Sequence, residues 1–471
     1  MSRRSSGPAP AAGPFTQAFH GLRTEYSPSS IAVALSGGLD SMVLLHLAHE
    51  AAKVAGLPLF AFHVHHGLSP NADAWHAHCA AACAELGVVF DHREVTVEKG
   101  KSGVEAAARK QRYAALGDMC RAHGVELLLT AHHLDDQAET VLLQLLRGSG
   151  PAGLSGMDAA NRAPTLLGDD RIVMARPLLA VARAELEAYA AAQQIAWVED
   201  ESNSDPRYTR NALRHTVMPA LAQAFPGFQR RIARSSAHAA SSQRLLDELA
   251  AQDLAACLDG EAIKLPCLRA LSADRINNLL RYWFAQRGFG MPSTAWLEQM
   301  VAQLTSARED AQPLVAHPDV DVRRYRERLL LVPKLPDLAG LRDPDDEGII
   351  VKHAQAFTWA GELSIAFPDY GGVLHFDPAP LGLDPAWLRS AKVEIDFRKG
   401  GERLKLAPNR PTRGLKQLFQ AHDVPAWERS RLPIVSSGFD LLFAAGLGMD
   451  CRFVSEGLEG AGRIRLRWES T

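Results

Sequence analysis

Short apolar runs alternate with longer stretches of helical spacing along residues 26–220. Apolar runs of about four to eight residues are typical of buried strands, and apolar residues three and four positions apart are typical of helices. Alternating strands and helices indicate an α/β fold with a Rossmann-like parallel sheet, whose ligands collect at the carboxyl ends of the strands. The predicted strands are Ile31–Leu35, Leu59–His63, Val88–Val95, Glu126–Thr130 and Arg171–Arg176, and Asp73–Leu86 and Val104–His123 are among the predicted helices.

Beyond Pro219 the alternation stops and the chain becomes mainly helical. Helical spacing predicts helices over Ala222–Leu254, Ile276–Gln286 and Ser293–Leu304, followed by short strands within Arg323–Pro333. Pro333–Asp346 is rich in Pro and Asp, as linkers are, and the short segments after it predict a small α+β domain. We therefore expect a disordered tail (1–25), a catalytic domain (26–220), a mainly helical domain (221–335), a linker region (336–375) and a C-terminal domain (376–471).

Composition is that of a globular protein, with 471 residues of which 47% are hydrophobic and 22% charged. The net charge of −3 gives no overall attraction to nucleic acid, so any such binding depends on local patches. The six cysteines include no C-x-x-C pair, which argues against a zinc ribbon and suits a reducing cytoplasm. No apolar stretch reaches the ~18 residues that span a membrane, and the N-terminus lacks the apolar region of a signal peptide.

The segment Ser36-Gly37-Gly38-Leu39-Asp40-Ser41 connects the first predicted strand to the apolar start of a helix. A glycine-rich turn in this position leaves backbone N–H groups at the positive end of the helix, where they bind phosphate. Asp40 repels polyphosphate unless a cation lies between them, so a bridging Mg²⁺ is the simplest explanation of that carboxylate. The alternative is a tight turn capped by small residues.

This loop lacks the lysine of the P-loop and the spacing of the dinucleotide-binding fingerprint. It resembles instead the pyrophosphate loop of the ATP pyrophosphatase (PP-loop) superfamily. Those enzymes cleave ATP between the α- and β-phosphates and adenylate a carbonyl or carboxylate oxygen. The resemblance implies ATP as cofactor and a type of reaction, but no substrate. The implied nucleotide-binding residues are Ser36, Gly37, Gly38, Leu39, Asp40 and Ser41.

A second polar motif, Thr130–Thr140, runs from a predicted strand into a helix and contains His132, His133, Asp136 and Glu139. Asp136 and Glu139 share a helical face, and a capping box with Asp136 as N-cap and Glu139 at N3 is one explanation. The two histidines favour a site, because a cap needs none. We expect His132 or His133 to contact phosphate or act as an acid, and Asp136 to share a cation with Asp40. Nucleotide-bound Mg²⁺ explains these carboxylates without a separate zinc ion.

Two further segments are polar where strands or helices meet loops. His63–Ser69 holds three histidines within four residues, which favours the wall of a site over a buried structural histidine.

In Glu199–His215, Arg210 and Arg214 are four positions apart and share a helical face. They can neutralise departing pyrophosphate or hold a nucleic-acid phosphate, whereas a solvated loop is the alternative. A similar stripe on an earlier helix consists of Glu105, Arg109 and Arg112.

The stretch Arg398–Lys416 contains seven basic residues and one acid, Glu402, in a chain whose net charge is −3. A solvated basic surface is one explanation, and loops that follow a phosphate backbone are the other. In the middle of the chain, Arg230, Arg231 and Arg234 form a second basic group.

Together these segments resemble the tRNA(Ile)-lysidine synthetases. The similar segments within residues 30–220 are SGGLDS, HVHHGLS, TAHHLDDQAET, LLRGSG, RPLL and EDESNSDPRYTRNALRH. The resemblance resumes at Phe397–Arg403, Leu415–Gln420, Val424–Trp427 and Arg431–Pro433, and the middle of the chain matches only in character.

The resemblance implies that ATP and Mg²⁺ are used to adenylate the 2-carbonyl oxygen of the wobble cytidine in an isoleucine tRNA with a CAU anticodon. Free L-lysine then displaces AMP, and a homodimer is a further implication. By resemblance, Asp40 and Asp136 hold Mg²⁺, Asp136 or Glu139 receives the lysine, and His132 and Arg210 line the site, with His65 at the nucleotide. The expected tRNA-binding residues are Arg109, Arg112, Arg214, Arg230, Arg231, Arg398, Lys399, Arg403 and Lys416.

Three other functions compete with this one. A sulfur-transferring enzyme of the same superfamily, such as a cytidine thiolase, needs reactive or cluster-binding cysteines, and none is suitably paired in the sequence. A nucleotide-binding module without catalysis has little use for Asp40, Asp136 and the basic C-terminal stretch together. The same basic stretch argues against a small-molecule amidotransferase.

Overall fold

The computed structural model describes residues 11–65, 67, 70–95, 104–199, 209–308, 311, 313–334, 354–457 and 462–470. The chain divides into two compact units, Met1–Ala250 and Ala251–Thr471. Residues 1–10 of the expected tail and 335–346 of the expected linker lie outside the described residues, as do His66, Leu68, Ser69 and residues 200–208 of the polar motifs. The predicted domain boundaries stay predictions.

The first unit is built on a six-stranded sheet in the order β3-β2-β1-β4-β6-β5. All neighbouring pairs are parallel except β5 with β6. The predicted α/β fold with a parallel sheet is confirmed, although the antiparallel strand β5 was missed because Ala-Asn-Arg has no apolar run. The strands are β1 (Ile31–Ala34), β2 (Leu59–His65), β3 (Val89–Glu94), β4 (Leu127–Leu129), β5 (Ala160–Arg162) and β6 (Val173–Ala175).

Helices cover both faces of this sheet. They are α1 (Ala12–Tyr26), α2 (Leu39–Ala55), α3 (Ala72–Leu86), α4 (Val104–His123), α5 (Leu134–Leu146), α6 (Pro151–Leu154), α7 (Pro164–Leu167), α8 (Arg183–Gln193), α9 (Thr209–Ala212), α10 (Met218–Ala224) and α11 (Phe228–Cys257), with a π-helical turn at Leu213–Val217. Successive residues of β1 point to opposite faces of the sheet, each of which has its own hydrophobic core. Ile31 and Val33 pack with α1 and α2 on one face, and Ala32 packs with Tyr113 and Leu116 of α4 on the other.

The expectation of a disordered tail over residues 1–25 is wrong from residue 12 onwards. Helix α1 buries Phe15, Phe19 and Leu22 in the core beside α2, and the two phenylalanine rings stack with centroids 5.8 Å apart. These apolar residues recur at i, i+4 and i+7, which is the spacing of one helical face. Burying them offsets the cost of ordering the segment.

The second unit contains two lobes, which we call the central lobe (residues 258–333) and the C-terminal lobe (residues 354–470). The central lobe has a sheet in the order β7-β8-β11-β10-β9, backed by helices around the buried Trp283 and Phe284. Its elements are β7 (Leu258–Asp259), β8 (Ala262–Lys264), α12 (Leu265–Arg269), α13 (Ala273–Gln286), α14 (Thr294–Ser306), β9 (Leu314–Ala316), β10 (Val320–Tyr325) and β11 (Arg328–Pro333). The helices predicted over Ile276–Gln286 and Ser293–Leu304 are present.

The C-terminal lobe is a small domain of mostly antiparallel strands with short helices, as predicted. Its strands are β12 (Gln355–Phe357), β13 (Ser364–Phe367), β14 (Gly372–Ala379), β15 (Leu381–Gly382), β16 (Val393–Phe397), β17 (Arg403–Leu404), β18 (Arg413–Gly414), β19 (Pro433–Ser437), β20 (Asp440–Ala444), β21 (Gly448–Met449), β22 (Ser455–Glu456) and β23 (Arg463–Ser470). Its helices are α15 (Pro385–Ser390), α16 (Leu415–Ala421) and α17 (Ala426–Arg429).

Within the described residues, no helix has both the length and the apolar character needed to cross a membrane. All six cysteines are free thiols, and two of them, Cys257 at the end of α11 and Cys267 of α12, lie with their Sγ atoms 2.7 Å apart.

Asp450 organises the end of the C-terminal lobe from a fully buried position, with 0% of its surface exposed. Its carboxylate accepts hydrogen bonds from the backbone N–H groups of Lys405 and Arg452 and from the Arg452 guanidinium. Burial alone raises the pKa of Asp450, but these donors outweigh burial and hold the pKa below its ordinary value. The ionised carboxylate therefore stabilises the folded lobe.

We expect Asp450→Asn to lower the free energy of unfolding by about 2 kcal/mol at pH 7. Because the folded-state pKa is depressed, the carboxylate contributes fully above its unfolded pKa of about 3.9. That contribution is lost as the pH falls through the folded pKa, so the difference between wild type and variant shrinks below about pH 4. Urea unfolding from pH 3 to pH 7 measures it, with the exposed Asp440→Asn as control. A difference that does not change with pH contradicts the account.

Candidate active site

A cleft of about 790 Å³ opens at the carboxyl edge of the sheet in the first unit. The loops that follow β1, β2 and β4 line it, as the parallel topology predicts. Of the residues predicted to form the site, those that line the cleft are Ser36, Gly38, Leu39, Asp40, Ser41, His65, Arg112, His132, Asp136 and Arg214.

The glycine-rich loop folds on itself before α2 begins. The Ser36 and Ser41 hydroxyls lie 3.0 Å apart, the Ser36 N–H donates to Ser41 Oγ, and that hydroxyl donates to the Gly38 carbonyl. Gly38 is the N-cap of α2, so the first-turn N–H groups of Leu39, Asp40 and Ser41 have no acceptor inside the helix. Donors arranged in this way at the positive end of a helix bind phosphate oxygens.

Gly37 is required by the backbone conformation of the loop and by the close packing around it. Its φ of +88° favours glycine, and a Cβ there would lie 3.0 Å from Val198 Cγ2 and 3.1 Å from Cys79 Sγ. The Val198 N–H also donates to the Gly37 carbonyl at 3.0 Å. Gly37 therefore packs against Val198, which also lines the cleft, and Gly38 and the α2 N-terminus face the cleft.

Asp40 and Asp136 meet at the imidazole of His133. His133 Nε2 lies 3.6 Å from Asp40 Oδ2 and 3.4 Å from Asp136 Oδ2, and His133 is 1% exposed. Burial works against the charged imidazole, but Asp40 and then Asp136 outweigh burial and raise the pKa of His133. Asp40 Oδ1 is buried without a hydrogen-bond partner among the described residues. Both acids thus lie within 4 Å of one imidazole, and the cation that they are predicted to share stays a prediction.

Helix α5 begins at Leu134, so the capping box differs from the predicted one. His133 is the N-cap, and Asp136 is the N3 residue whose Oδ2 accepts from the His133 backbone N–H at 3.1 Å. The predicted box, with Asp136 as N-cap and Glu139 at N3, is therefore wrong, because the N-cap lies three residues earlier in the chain. The cap and the site are not alternatives, because Asp136 Oδ2 serves the cap and also lies 3.4 Å from His133 Nε2, while Oδ1 accepts hydrogen bonds from Arg210 and Arg214.

Arg210 and Arg214 hold the face of α5 that carries Asp136 and Glu139; we call these four residues the clamp. Arg210 donates to Glu139 Oε2 at 2.9 Å and to Asp136 Oδ1 at 3.1 Å. Arg214 donates to both oxygens of Glu139, at 2.6 and 2.9 Å, and to Asp136 Oδ1 at 3.0 Å. The predicted shared faces, Arg210 with Arg214 and Asp136 with Glu139, are thus the two halves of one ion-pair cluster.

The two acids of the clamp, Asp136 and Glu139, have different surroundings. Asp136 lines the cleft, whereas Glu139 is 1% exposed and lies behind it, paired with both guanidinium groups. Arg214 lines the cleft on the π-helical turn. The charge of His133, followed by that of Arg210, holds the pKa of Asp136 below its ordinary value against the effect of burial.

His132 lines the cleft as a neutral imidazole. Burial is the largest cause, followed among the lowering effects by the positive charge of Arg176, and together they lower the pKa of His132 to about 4. Its Nδ1 lies 3.0 Å from the Thr130 hydroxyl. A neutral ring can donate or accept a hydrogen bond near pH 7 without adding charge to the cleft.

The predicted tRNA-binding residues are spread over several surfaces. Arg109 and Arg112 of α4 both lie over the Tyr113 ring, at 5.0 and 5.3 Å from its centroid, and only Arg112 lines the cleft. Arg230 and Arg231 are exposed on α11, where Arg230 is 3.6 Å from Glu185 and Arg231 donates to the Pro226 carbonyl.

Arg398 does not fit its predicted role, since it is only 4% exposed and is therefore inaccessible to a phosphate backbone. It follows β16, whose residues 395–397 are buried, and this burial extends to its own side chain. The exposed cations of the basic stretch form what we call the basic patch: Lys399, Arg403, Arg410, Arg413 and Lys416.

Sequence reasoning did not assign roles to three aromatic residues of the cleft, Trp75, Tyr113 and Trp197. Trp197 keeps 40% of its surface exposed in the segment that hydrogen-bonds to the glycine-rich loop. The signal available was weak, because a single aromatic residue beside a polar segment is more often part of a core. The side chain of Glu105, predicted to share the α4 stripe with Arg109 and Arg112, lies outside the described residues.

Comparison with known proteins finds three family descriptions that match successive parts of the chain. The family descriptions that match are PP-loop domain over residues 13–221, TilS substrate binding domain over residues 264–330, and TilS substrate C-terminal domain over residues 393–468. The U34-tRNA thiolase NcsA from Methanococcus maripaludis, a solved structure, is 18% identical and covers 50% of this chain and 86% of its own, with a TM-score of 0.38. A similarity at that level carries no argument about function.

The sequence relatives are much closer. The tRNA(Ile)-lysidine synthase of Ralstonia nicotianae is 44% identical over 432 residues, 91% of this chain and 91% of that protein. The tRNA(Ile)-lysidine synthase of Burkholderia pseudomallei is 43% identical over 462 residues, 93% of each chain. With the glycine-rich loop and the paired acids in place at the edge of the sheet, this identity shows that the chain belongs to the tRNA(Ile)-lysidine synthase family.

Proposed function

We propose that the chain ligates free L-lysine to carbon 2 of the wobble cytidine of isoleucine tRNA with a CAU anticodon, and releases AMP and pyrophosphate. ATP first adenylates the 2-carbonyl oxygen, because cytidine itself is a poor electrophile and AMP is a good leaving group. The lysine ε-amine then attacks the same carbon. The observation that carries the proposal is the meeting of Asp40 and Asp136 beside the free N–H groups of α2 in one cleft.

The nucleotide side of the cleft begins at the glycine-rich loop. The α2 N-terminus and Ser36 offer donors to the phosphates of ATP, and Arg214 lies in the same cleft to meet the negative charge of departing pyrophosphate. His65, whose Nε2 lies 3.1 Å from Asp73 Oδ1, stands on the wall at the end of β2. These contacts support adenylation at the edge of the sheet.

The residues present fit a Mg²⁺ ion carried in with ATP. Asp40 Oδ1 is a buried carboxylate oxygen without a hydrogen-bond partner among the described residues, and Asp136 lines the same cleft. Magnesium in nucleotide sites takes one or two carboxylates together with substrate phosphates. Asp40 and Asp136 would hold the ion, which would neutralise the charge that develops on the phosphates during adenylation.

The lysine substrate is cationic and must lose a proton before it attacks. Of the two candidate acids, Asp136 faces the cleft and Glu139 lies behind it, so the geometry supports Asp136 as the residue that receives the ammonium group. Glu139 then acts on Asp136 indirectly, by fixing Arg210 and Arg214. His132, kept neutral near pH 7, is placed to donate or accept a hydrogen bond at the cleft wall.

The basic patch supports binding of tRNA by its phosphate backbone. We expect the triple replacement of Lys399, Arg403 and Lys416 by alanine to raise the KM for tRNA about tenfold and to reduce the dependence of binding on log salt by about 2–3. Arg398 is left intact because it is buried. Steady-state kinetics at several salt concentrations measures both values, and Lys392→Ala, an exposed cation outside the stretch, is the control. An unchanged KM excludes the patch from tRNA binding.

Incorporation of labelled lysine tests the proposed function directly. Pure protein is incubated with ATP, labelled lysine and unmodified isoleucine tRNA; we expect label in the tRNA and tRNA-dependent release of AMP and pyrophosphate. Absence of label from tRNA, with folded protein that binds ATP, overturns the proposal. Transfer of sulfur to the tRNA in a parallel reaction that contains a sulfur donor instead identifies a thiolase. From its family membership, we also propose that the protein is cytoplasmic and forms a homodimer. Light scattering of the purified protein tests the dimer.

A further inference from the structure

The segment Val424–Trp427, singled out in the sequence, has no place in the catalytic cleft. Within the second unit, it lies instead against the turn that joins β10 to β11, Tyr325–Arg328. We call the contact between this turn and Gln420–Arg429 the joint. It connects the central lobe to the residues that directly follow α16.

Polar contacts form one side of the joint. Arg326 Nη1 is 2.5 Å from Asp423 Oδ1, its Nη2 donates to the Gln420 carbonyl at 2.9 Å, and Arg328 lies 3.7 Å from Asp423 Oδ2. Arg326 and Asp423 both have left-handed backbones, with φ of +52° and +63°. Such conformations in residues other than glycine persist where the surrounding contacts hold them.

An aromatic layer forms the other side. The Trp427 ring packs edge-on against Tyr325 with centroids 5.8 Å apart, and the Arg323 guanidinium lies 5.1 Å from the Trp427 centroid. The Tyr325 hydroxyl donates to the Val424 carbonyl at 3.4 Å. Arg429, which is buried, donates to the same carbonyl at 2.8 Å and lies 3.4 Å from the Tyr325 hydroxyl.

The turn is braced from inside the central lobe. Arg324 is buried, and its guanidinium donates to the carbonyls of Leu304, Ala307 and Arg326 and to Glu327. The central lobe therefore presents Tyr325 and Arg326 in a fixed orientation. This is the arrangement of a pre-organised contact rather than of two surfaces that meet incidentally.

On the C-terminal side, the joint is continuous with the basic patch. The His422 and Val424 N–H groups donate to the Leu418 and Phe419 carbonyls of α16, so the direction of α16 is tied to the joint. Lys416 lies on α16, and Arg413 lies on β18 immediately before it. A displacement of the joint thus displaces these cations relative to the central lobe.

We propose that the joint is a positioning element: it holds the basic patch on the central lobe so that the two lobes offer tRNA one continuous surface. Asp423, Arg326 and Trp427 act through the patch and touch no substrate. The inference rests on the proposed function for the identity of the ligand, but the joint itself is measurable without catalysis.

Asp423→Asn in the full chain is the principal test, because asparagine tolerates the left-handed backbone and removes only the charge. We expect the tRNA Kd in filter binding to rise about threefold and amide hydrogen exchange of residues 420–429 to accelerate severalfold. Trp427→Ala, checked for folding by circular dichroism, is expected to raise the Kd about tenfold. The matched control is Asp377→Asn, the same charge change in an exposed ion pair with Arg467 in the same lobe, which should leave both values unchanged.

The direction of the change separates positioning from simple electrostatics. Removing a negative charge near bound tRNA lowers the Kd if Asp423 acts only through the field, whereas loss of the joint raises it. A Kd equal to or below that of wild type overturns the proposal, even if exchange is faster. A failure of wild type to incorporate lysine would overturn the proposed function alone, since tRNA binding and exchange are read without turnover.

Discussion

Asp40→Ala is expected to lower the rate of pyrophosphate release by about a thousandfold while the affinity for tRNA stays within about twofold of wild type. Asp40 is the one acid in the first turn of α2, and its Oδ1 is buried beside the cleft without a partner among the described residues. Alanine removes the proposed ligand for the cation that accompanies ATP. The tRNA contacts proposed for the C-terminal lobe belong to other residues, so binding and chemistry should separate.

Pyrophosphate release in the presence of tRNA and lysine, together with filter binding of tRNA, measures the two effects. Asp73→Ala is the matched control, since Asp73 is an almost fully exposed acid that contacts His65 at the rim of the same cleft. Retention of more than a tenth of wild-type activity by Asp40→Ala excludes it from the chemistry. A parallel loss of tRNA binding contradicts the division of labour between the lobes and the cleft.

Glu139→Ala is expected to destabilise the first unit by about 3 kcal/mol, because breaking a buried ion pair leaves its partners uncompensated. Glu139 is 1% exposed and accepts from both Arg210 and Arg214. Without it, two guanidinium groups face a cavity and share only Asp136. For a unit of this size, the loss corresponds to a fall in melting temperature of about 9 °C.

Differential scanning calorimetry tests this expectation, with Glu187→Ala as the control. Glu187 pairs with Arg183 at 3.3 Å, but its side chain is 56% exposed, and exposed pairs contribute about 0.2–1 kcal/mol. Equal melting temperatures for the two variants would show that the clamp does not stabilise the fold. The activity of Glu139→Ala is expected to fall as well, since Arg210 and Arg214 lose the group that orients them toward Asp136.

The strands and helices of the first unit could be predicted from the spacing of apolar residues, because that spacing depends on which side chains are buried. Val104–His123 has the predicted bounds, and Leu127–Leu129 lies within the predicted Glu126–Thr130. In a parallel sheet the carboxyl ends of the strands lie at one edge. The sequence could therefore predict that Asp40 and Asp136 belong to one site, although 96 positions separate them in the chain. Contacts that depend only on period and topology were therefore predictable.

Contacts that depend on side-chain packing were not. The apolar spacing of Phe15, Phe19 and Leu22 was present in the sequence, but a short segment beside a polar terminus does not show whether a core accepts it. Arg398 and Lys399 are adjacent and chemically alike, yet one is buried and the other exposed. The separate surroundings of Asp136 and Glu139 likewise arise from where Arg210 and Arg214 reach α5, which no local pattern contains.

The clamp also has a consequence in time. Arg210 follows Glu139 by 71 positions, so at about 5–20 residues per second the ribosome completes the arginine roughly 4–14 seconds after the acid. Strands β5 and β6 are synthesised within that interval, so all six strands of the first sheet precede Arg210, and Asp136 and Glu139 are made before their counter-charges. The catalytic face of this sheet is therefore finished by residues synthesised after the sheet itself, and chain release at Glu199 would yield a sheet without a completed site.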